Sequence, residues 1–459
     1  MNLQNEQLMN YQKESKFVGY EKLGNKTIVM DIMKDNQFVD SITDEGYVFL
    51  EENPFYAESG GQIYDIGYLK NDDCKVEVDE VVKAPNKQHL LHVKILEGTL
   101  KKGSTVLTHV MQERREAIMK NHSATHLLQK TLQEFLGNNV HQAGSRVDEN
   151  TFRFDFTYHG RLSDDLIIRI EKRVNERVAQ NVDTIIEYLP IEEAKKKGAM
   201  ALFGDKYGDI VRVVTIGDSI ELCAGTHVPN TSMIGKIAII SIENKGADTF
   251  RIEGTTSKNM NDLLHRVVDP YQAEIKKLLS KAKNILVEAK GQNITLDFEF
   301  DFQDKELSSY EGVVEYKNKL LELKDKIKEL EKKYKTLKMQ STVSDITAFT
   351  TNMEVINGIK TSIVILEDYD IDSMRGLADA IINKYENCFV LLANVKDNHV
   401  NIISKSNSDK VNCGVLVKEL SVKCKGNGGG SPKFAQGGGS EAEHLAEYLN
   451  ELKNQIKNN

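Results

Sequence analysis

Short apolar alternations, broken by glycine, asparagine or aspartate, fill the N-terminal part of the chain. Between Phe17 and Thr108 they occur at residues 26–33, 46–51, 74–82 and 89–95. Alternation with a period of two, bounded by turn residues, is typical of half-buried strands. We therefore predict a small antiparallel sheet closed into a β-barrel-like domain over residues 1–108.

The pattern changes from strand to helix after this region. Residues 110–136 contain neither glycine nor proline, and Gly137 follows them directly, which predicts a long helix with a glycine just past its end. Residues 151–158 then alternate strictly, with aromatic side chains at every second position, which predicts a strand with one buried face. A second helix is predicted at 162–181. The fold class of residues 109–256 is thus α+β.

Two regular heptad patterns follow, with apolar steps that alternate between four and three residues. The first comprises Leu264, Val268, Tyr271, Ile275, Leu278, Ala282, Ile285 and Ala289. The second comprises Val313, Tyr316, Leu320, Leu323, Ile327, Leu330, Tyr334 and Leu337. Such patterns usually face another helix, so we predict a coiled-coil helical hairpin over residues 257–341. Pairing with a second subunit and packing on a globular core are the alternatives.

The last segment, residues 342–459, is predicted to form a compact α/β domain. A strand is expected at 362–366, a helix at 372–385, a hairpin around Asp397 and Asn398, and a helix at 412–423. A glycine-rich stretch and a final helix from about Ser440 complete it.

Composition restricts the class of protein. The 459 residues include 60 Lys and Arg against 69 Asp and Glu, with a net charge of -9, which argues against nucleic-acid binding over the whole surface but permits a local basic patch. Apolar runs are too short for a membrane span or signal peptide. Five scattered cysteines favour reduced thiols or one metal site over disulfides, and hence a cytoplasmic location.

Two short motifs carry candidate metal ligands. His122 and His126 are four residues apart on the predicted helix, so both imidazoles project from one face. Cys223 and His227 frame a second motif with the same spacing. Together the two arise by chance with an expectation of about 0.03 in a chain of this composition. A set of three histidines and one cysteine suits tetrahedral zinc, so we predict one Zn²⁺ ion there.

Two glycine-rich motifs admit both a plain and a functional interpretation. Gly60 and Gly61 precede Gln62 at a strand end; a simple turn explains them best, although they would also let a backbone approach a ligand while Gln62 offers donors and acceptors. The tract at 426–439 can be a flexible linker. Its interruption by Lys433 and other large side chains, and the helix after it, favour a loop that wraps a ligand or a backbone.

The charge around the tract at 426–439 indicates that a ligand bound there would be a polyanion. Residues 401–436 hold only Asp409 and Glu419 as acids. The lysines there are Lys405, Lys410, Lys418, Lys423, Lys425 and Lys433. This excess of positive charge in an acidic protein is typical of a surface that meets phosphates.

At this point the motifs resemble a known family along nearly the whole chain. They are FVGYEKL from Phe17, NPFYAESGGQIYDIG from Asn53, HSATHLL from His122, VHQAGSRV from Val140, FRFDF from Phe152, ALFGDKYGDIVRVV from Ala201, ELCAGTHV from Glu221, RIEG from Arg251 and GGGSPKFAQGGG from Gly428. In this order they are similar to the post-catalytic half of alanyl-tRNA synthetase, which contains a zinc-binding editing domain and a C-terminal domain shared with DHH phosphoesterases.

The resemblance implies an arrangement of domains and an activity. Because the barrel motifs begin by Phe17, we expect no aminoacylation domain and a chain similar to the long, freestanding alanyl-tRNA editing hydrolases, although a synthetase fragment would show the same motifs. The implied reaction is hydrolysis of serine or glycine from mischarged alanine tRNA. The implied partners are that tRNA and, through the coiled coil or the C-terminal domain, a second copy of the chain; no membrane is implied.

The resemblance also implies site residues. Zinc would lie on His122, His126, Cys223 and His227. The ester and the terminal ribose would be held by Gln62, Gln142, Gly144 and Ser145, with Cys223 among the catalytic residues. The C-terminal domain would dock the tRNA through Lys433, Phe434, Gln436, Gly428, Gly429 and Gly430. Two departures from the family pattern are Asn53, where many relatives have a threonine linked to reading the amino acid, and Ala224, where they have glycine.

Three rival functions remain from the sequence. A threonyl-tRNA editing domain shares the paired zinc motifs but lacks the FYAESGGQ segment and the glycine-rich tract. A non-catalytic zinc-dependent tRNA-binding protein would shelter aminoacyl-tRNA rather than hydrolyse it. A phosphoesterase acting through the C-terminal domain is disfavoured because clustered Asp and His ligands are absent from that segment.

Overall fold

A computed structural model describes residues 2–201, 207–344, 346–351 and 353–459, so Leu202 to Lys206 of the motif at Ala201 lie outside the described residues. The chain is a mixed α+β, multidomain protein that divides into two compact units. One unit comprises Met1–Glu274 and Phe302–Leu320, and the other comprises Ile275–Asp301 and Leu321–Asn459. None of the helices in the described part combines the length and apolar character needed to cross a bilayer.

The first unit begins with helix α1 (Glu6–Met9) and a β-barrel, which confirms the predicted barrel. The strands are β1 Lys16–Phe17, β2 Lys26–Lys34, β3 Gln37–Val39, β4 Ser41–Ile42, β5 Glu45–Leu50, β6 Glu52–Asn53, β7 Gly67–Asn71, β8 Cys74–Lys83, β9 His89–Gly98, β10 Leu100–Lys101 and β11 Thr105–Val110. Six of them follow the order β11-β7-β8-β9-β5-β2, and antiparallel pairing of β11 with β2 closes the sheet. Closure satisfies the backbone groups that a sheet edge would expose.

The same unit continues with the predicted α+β domain. Its elements are α2 Gln112–Leu136, β12 His141–Val147, β13 Phe152–Thr157, α3 Asp164–Ala179, β14 Thr184–Pro190, α4 Ile191–Lys196, β15 Ile210–Ile216, β16 Ser219–Leu222, β17 Ala238–Asn244 and β18 Thr249–Thr255. Helix α2 ends at Gly137, whose φ of 98° is unfavourable for other residues. Phe152, Phe154 and Phe156 are all buried on one face of β13, as the alternation predicted.

The two heptad segments are helices α5 (Met260–Gly291) and α6 (Tyr310–Ser344), but they do not form the predicted antiparallel hairpin. In the first unit Asn261 accepts a hydrogen bond from the Leu307 backbone at 2.7 Å, and His265 lies against Tyr316. Residues further along the first segment therefore contact residues further along the second. The two helices thus run in the same direction in this unit.

The second unit shows the same direction of pairing. Lys281 forms an ion pair with Glu331 at 2.6 Å. Burial raises the pKa of Tyr334, and the charge of the nearby Glu288 raises it further. Residues 292–309 contain no helix or strand and lead from the end of α5 back to the start of α6. A segment of that length, at about 3.3 Å per residue, spans the roughly 48 Å of a helix as long as α5. The heptad pattern predicts that the helices pair but not their direction.

The second unit also contains the predicted C-terminal α/β domain. Its elements are α7 Ile346–Thr350, β19 Glu354–Ile356, β20 Ile359–Glu367, α8 Ile371–Lys384, β21 Cys388–Lys396, β22 His399–Ser406, α9 Cys413–Lys423, β23 Gly426–Gly430, β24 Phe434–Gly439 and α10 Leu445–Asn458. The sheet follows the order β19-β20-β21-β22-β24-β23, with β20 and β21 parallel and every other neighbouring pair antiparallel.

The glycine-rich tract is a β-hairpin rather than the loop that the sequence suggested. Strands β23 and β24 pair with each other, and β24 pairs with β22. A Cβ atom on Gly428 or Gly437 would lie 2.6 Å or 2.2 Å from Oγ of Ser421 on α9. The glycines therefore let the helix lie almost directly on the hairpin, which explains why a tract of this composition is ordered.

The buried carboxyl group of Glu171 makes the stability of the first unit depend on pH. Its Oε2 accepts the backbone N–H groups of Ile239 and Tyr310, both at 2.8 Å, and burial raises its pKa to about 7. The folded state then holds the proton of Glu171 more strongly than the unfolded state does. The contribution of this group to the free energy of unfolding is therefore present at low pH and is lost as pH rises from about 4.5 to 7.

We expect Glu171→Gln, which keeps the acceptor oxygen, to remove this loss. Between pH 5 and pH 8 the wild type should lose on the order of 1 to 3 kcal/mol more than the variant, measured from the urea midpoint of the first unit's transition. An equal shift in both proteins would contradict the assignment.

Candidate metal centre

The four predicted ligands meet at one point in the first unit. His122 and His126 project from α2, while Cys223 and His227 lie in the loop that follows β16, and one ligand atom from each lies within 4.8 Å of the others. Sγ of Cys223 is 3.5 Å from Nε2 of His122 and 3.3 Å from Nε2 of His227. Tetrahedral zinc places sulfur and nitrogen ligands about 3.6 Å apart, so the set fits this ion.

Each imidazole of this cluster has its other nitrogen engaged. Nδ1 of His122 is 2.8 Å from Oε1 of Gln62, and Nδ1 of His227 is 3.0 Å from Oγ of Ser123. Nδ1 of His126 is 2.5 Å from Oε2 of Glu221. Nδ1 contacts a side-chain oxygen in all three rings, through hydrogen bonds at His122 and His227 and an ion pair at His126, so Nε2 is the nitrogen left for an ion. This is the arrangement expected around histidines that bind a metal.

Electrostatics favours the protonation states that bind a cation. Burial opposes ionisation of Cys223, but His122 and His227 lower its pKa well below the usual value, so the thiolate forms. Burial and the neighbouring histidines also lower the pKa of His227, which stays neutral. Against burial, Glu221 and Cys223 raise the pKa of His126 to about 10. A bound cation would displace that proton, so metal affinity should rise with pH.

Gly225 permits the ligand loop to approach α2. A Cβ atom at this position would lie 2.0 Å from Cε1 of His122, which no packing adjustment of a buried ring accommodates. Ala224, the residue that departs from the family pattern, precedes this close contact. The family glycine that is retained is thus the one the geometry requires.

Arg212 and Tyr20 hold the backbone of the same loop. Nη1 of Arg212 donates to the carbonyl oxygens of Cys223 and Gly225 at 2.9 Å and 2.8 Å. The Tyr20 ring lies 4.0 Å from this guanidinium, and its hydroxyl donates to the carbonyl of Ala224. Tyr20 of the barrel and Arg212 of β15 therefore fix the loop that supplies the ligands Cys223 and His227.

The Gly-Gly-Gln segment reaches the cluster from the barrel. Gly61 has a φ of 85°, and a Cβ atom there would lie 2.2 Å from the carbonyl oxygen of Ser145. The next residues pair with the end of β12, where Val147 accepts from Ile63 at 2.9 Å and donates to Gly61 at 2.7 Å. The glycine brings the barrel backbone directly against strand β12.

Gln62 occupies a different position from the one expected for a residue that holds substrate. Its side chain is fully buried; Oε1 also accepts from the Thr226 backbone at 2.9 Å, and Nε2 donates to Oγ1 of Thr226 at 2.8 Å. These bonds and the one to His122 occupy the amide. In this position Gln62 orients His122 and the ligand loop from behind, and its contact with substrate stays a prediction.

A cavity of about 370 Å³ opens onto the cluster. It is lined by Gly60, His122, Thr125, His126, Gln129, Gln133, Asn138, Val140, His141, Gln142, Ser145, Met200, Ala201, Glu221, Leu222 and Cys223. Gln142 and Ser145 thus lie at the candidate site, and their contact with substrate stays a prediction. Gly144 lies between them beside a bulge in β12 and has open space over its Cα.

A second cavity, of about 340 Å³, shares Gly60, His122, Leu222 and Cys223 with the first. Lys83, Tyr56 and Arg212 contribute to its wall. The cluster is therefore accessible from two sides.

Sequence reasoning missed the partners of the ligands. Ser123 and Glu221 both lie inside motifs that it singled out, next to His122 and two residues before Cys223. Their proximity in sequence was the available signal, but which nitrogen each imidazole presents follows only from the folded geometry.

The candidate tRNA-binding residues all lie on the β23–β24 hairpin of the second unit. Lys433 is exposed in the turn, and Gly429 has open space over its Cα. Phe434 lies 5.3 Å below Nζ of Lys405, and Oε1 of Gln436 accepts from Arg375 at 2.6 Å. Gly428 and Gly430 instead permit close backbone packing. Of the six, Lys433 is the side chain best placed for an external anion.

Family models match three parts of the chain. Residues 1–114 match the family model for tRNA synthetases class II (A), residues 211–253 match the threonyl and alanyl tRNA synthetase second additional domain, and residues 358–458 match the DHHA1 domain. The alanine–tRNA ligase of Bacillus mycoides is 37% identical over 452 residues, covering 96% of this chain and 48% of the ligase. Homologues of this chain are thus alanyl-tRNA ligases.

Other relatives show the same partial coverage. The alanine–tRNA ligase of Geobacillus kaustophilus is 36% identical over 464 residues, covering 100% of this chain and 49% of the ligase. The chain thus spans about half the length of the curated relatives that it matches. The C-Ala domain of Aquifex aeolicus alanyl-tRNA synthetase is a similar solved structure, with 26% identity, a TM-score of 0.22, and coverage of 23% of this chain and 98% of that domain.

We expect the residues that orient the histidines to control zinc affinity. Ser123→Ala and Glu221→Gln should each weaken zinc binding about 10- to 100-fold in a chelator competition, because one imidazole loses the partner that fixes its tautomer. Glu113→Gln, an exposed change in the first turn of α2, is the matched control. Affinity equal to the wild type in both site variants would contradict this role.

Proposed function

We propose that the chain is an aminoacyl-tRNA hydrolase that removes serine or glycine from mischarged alanine tRNA, acting in trans. The observation that carries this proposal is the His3Cys cluster at the cavity of about 370 Å³, in a chain whose homologues are alanyl-tRNA ligases. A cavity of this size accepts a small ligand such as an aminoacylated ribose.

The physical need for such a reaction supports the choice of substrates. An aminoacylation pocket that admits alanine cannot exclude the smaller glycine by size, and it only weakly rejects a side chain that adds one hydroxyl group. A second site that recognises what the first cannot reject therefore corrects the error. Alanyl-tRNA would survive there if its methyl group leaves a polar group of the site unpaired.

The chain's own residues divide the work in this proposal. When bound, zinc would supply a Lewis acid that orients the aminoacyl group, although four protein ligands fill a tetrahedral shell and also suit an architectural ion. Ser145, Gln142 and the backbone at Gly144 hold the ester and the terminal ribose. Water adds to the ester carbonyl, the bond to the ribose oxygen breaks, and free amino acid and tRNA leave. The Cys223 thiolate faces this cavity as a ligand.

The second unit would hold the body of the tRNA. The lysines between residues 401 and 436 lie in this unit, and Lys433 is exposed at the tip of the hairpin. Docking of a second copy through this domain or the paired helices remains part of the proposal. A thiolate ligand and four further free cysteines fit the reducing cytoplasm as the place of action.

Two alternatives make different predictions. A synthetase fragment would contain the same cluster but would need the missing part of its relatives for full activity. A non-catalytic zinc-dependent tRNA-binding protein should slow the loss of serine from tRNA, whereas a hydrolase should accelerate it. The alanyl relatives, matched over nearly the whole chain, favour alanine tRNA over threonine tRNA as the substrate carrier.

The decisive experiment compares seryl and alanyl esters on alanine tRNA with purified, zinc-loaded protein. We expect rapid loss of serine only, and a decrease of roughly 100-fold or more in His126→Ala because one metal ligand is removed. His159→Ala, which changes a histidine that is 89% exposed, is the matched control. No acceleration by the folded wild type would overturn the proposal.

Binding of the tRNA body has a separate test. We expect Lys433→Ala to weaken tRNA binding and to reduce the slope of log affinity against log salt by roughly 1, because one phosphate contact is lost. Lys457→Ala, on the exposed side of α10, should leave the slope unchanged. Identical slopes in the wild type and Lys433→Ala would refute the assignment of the hairpin.

A further inference from the structure

The side-chain amide of Gln129 is buried at the cavity, and the described residues leave its oxygen without a hydrogen-bond partner. The Gln129 side chain lines the cavity beside the metal cluster and is only 5% exposed. Its Oε1 has no partner among the residues that the structure describes. Its Nε2 has only a weak contact, 3.5 Å from Sδ of Met200. A buried polar group left in this way costs free energy, so its retention points to a ligand that satisfies it.

The position of Gln129 places this amide next to the proposed reaction centre. It follows His126 by three residues on α2, so both side chains leave the same face of the helix, about 4.5 Å apart along its axis. Thr125 and Gln133 line the same cavity from this helix. A group attached to an ester carbonyl near the cluster therefore falls within reach of the Gln129 amide.

We propose that Gln129 reads the side-chain hydroxyl of serine, which makes it the residue that sets the amino-acid specificity of the hydrolase. This inference rests on the proposed function and adds to it the group that recognises the substrate. Oε1 is itself enclosed, so a hydroxyl, which both donates and accepts, reaches the amide after a rotation that turns Oε1 or Nε2 toward the cavity. The weak sulfur contact and the broad terminal torsion of glutamine leave that rotation free.

The chemistry separates serine from the other small amino acids. The hydroxyl of a seryl ester would complete the unpaired amide, whereas the methyl group of alanine or the hydrogen of glycine would leave it unpaired. Gln129 therefore favours serine over glycine as well as over alanine.

Asn53, the position that the sequence linked to substrate choice, cannot take this role. Its side chain is fully buried in the barrel, where Oδ1 accepts from the Phe55 backbone at 2.9 Å and Nδ2 donates to its carbonyl at 2.8 Å. Nδ2 also lies 3.1 Å from Nδ1 of His89. Asn53 lines neither cavity at the cluster. Gln129, in contrast, lines the cavity at the cluster, and its Oε1 has no partner among the described residues.

The test is the ratio of kcat/KM on seryl and glycyl esters of the same alanine tRNA. In Gln129→Met, which keeps the length of the side chain and removes the amide, we expect this ratio to fall about 10- to 100-fold, with the zinc content unchanged. Lys130→Met, a partly exposed change at the next residue, is the matched control and should keep the ratio of the wild type.

The outcomes separate this inference from the proposed function. If wild type hydrolyses both esters and Gln129→Met keeps the same ratio, the inference is wrong while the function stands. A wild type that hydrolyses neither ester overturns both. If Gln129→Met loses both activities equally together with zinc, the amide supports the fold rather than specificity. Gln129→Glu, which retains an acceptor oxygen, should restore part of the seryl rate if the hydroxyl donates to Oε1.

Discussion

Convergence of three imidazole Nε2 atoms on one thiolate is the constraint on which the first unit depends. The cluster draws on residues far apart in sequence, because the histidines of α2 meet a loop about a hundred residues later and are oriented by Gln62 from the barrel. Ligand distances tolerate errors of only about 0.2 Å. Each contributing segment must therefore be fixed by its own contacts before an ion can be held.

A buried ion pair supplies part of that fixation. Arg115 in the first turns of α2 and Asp65 in the barrel are only 3% and 1% exposed, and Nε of the arginine lies 3.0 Å from both carboxylate oxygens. The same guanidinium donates to the carbonyl oxygens of Gly19 and Pro54. Charges buried in this way are tolerated only when all their hydrogen bonds are made, so the pair specifies one docking of helix on barrel.

That docking explains which glycines the site requires. Gly61 and Gly225 both occupy places where a methyl group would collide with a neighbouring backbone or ring. Gly61 allows the barrel loop to approach β12, and Gly225 allows the ligand loop to approach α2. Glycine in these motifs thus serves close packing, whereas the sequence favoured a simple turn at Gly60 and Gly61 over the approach of a ligand. The hairpin in the second unit repeats this use, since α9 lies on the glycines of β23 and β24.

Periodicity and spacing predicted what is local in this molecule. The strand alternation of β13, the uninterrupted run of α2 and the metal spacing within two motifs each need only neighbouring residues, and all three appear as expected. Features that depend on contacts between distant parts of the chain were not predicted. A heptad pattern is the same for parallel and antiparallel helices, so it did not predict that residues 292–309 lead back to the start of α6. The burial of Gln62 depends on its bond to Thr226, which lies in another motif.

Placing the metal ligands and Gln129 on the same helix has a consequence for selectivity. His122, His126 and Gln129 share one face of α2, whose backbone is held by its own hydrogen bonds. The distance between the cluster and the amide is therefore set by helical geometry rather than by a loop that could adapt to different side chains. A site of this kind distinguishes substrates by what they leave unpaired, since it cannot close around a smaller group to recover the lost contact. Rigid spacing and an unpaired amide together discriminate through a missing hydroxyl, which a size filter cannot do.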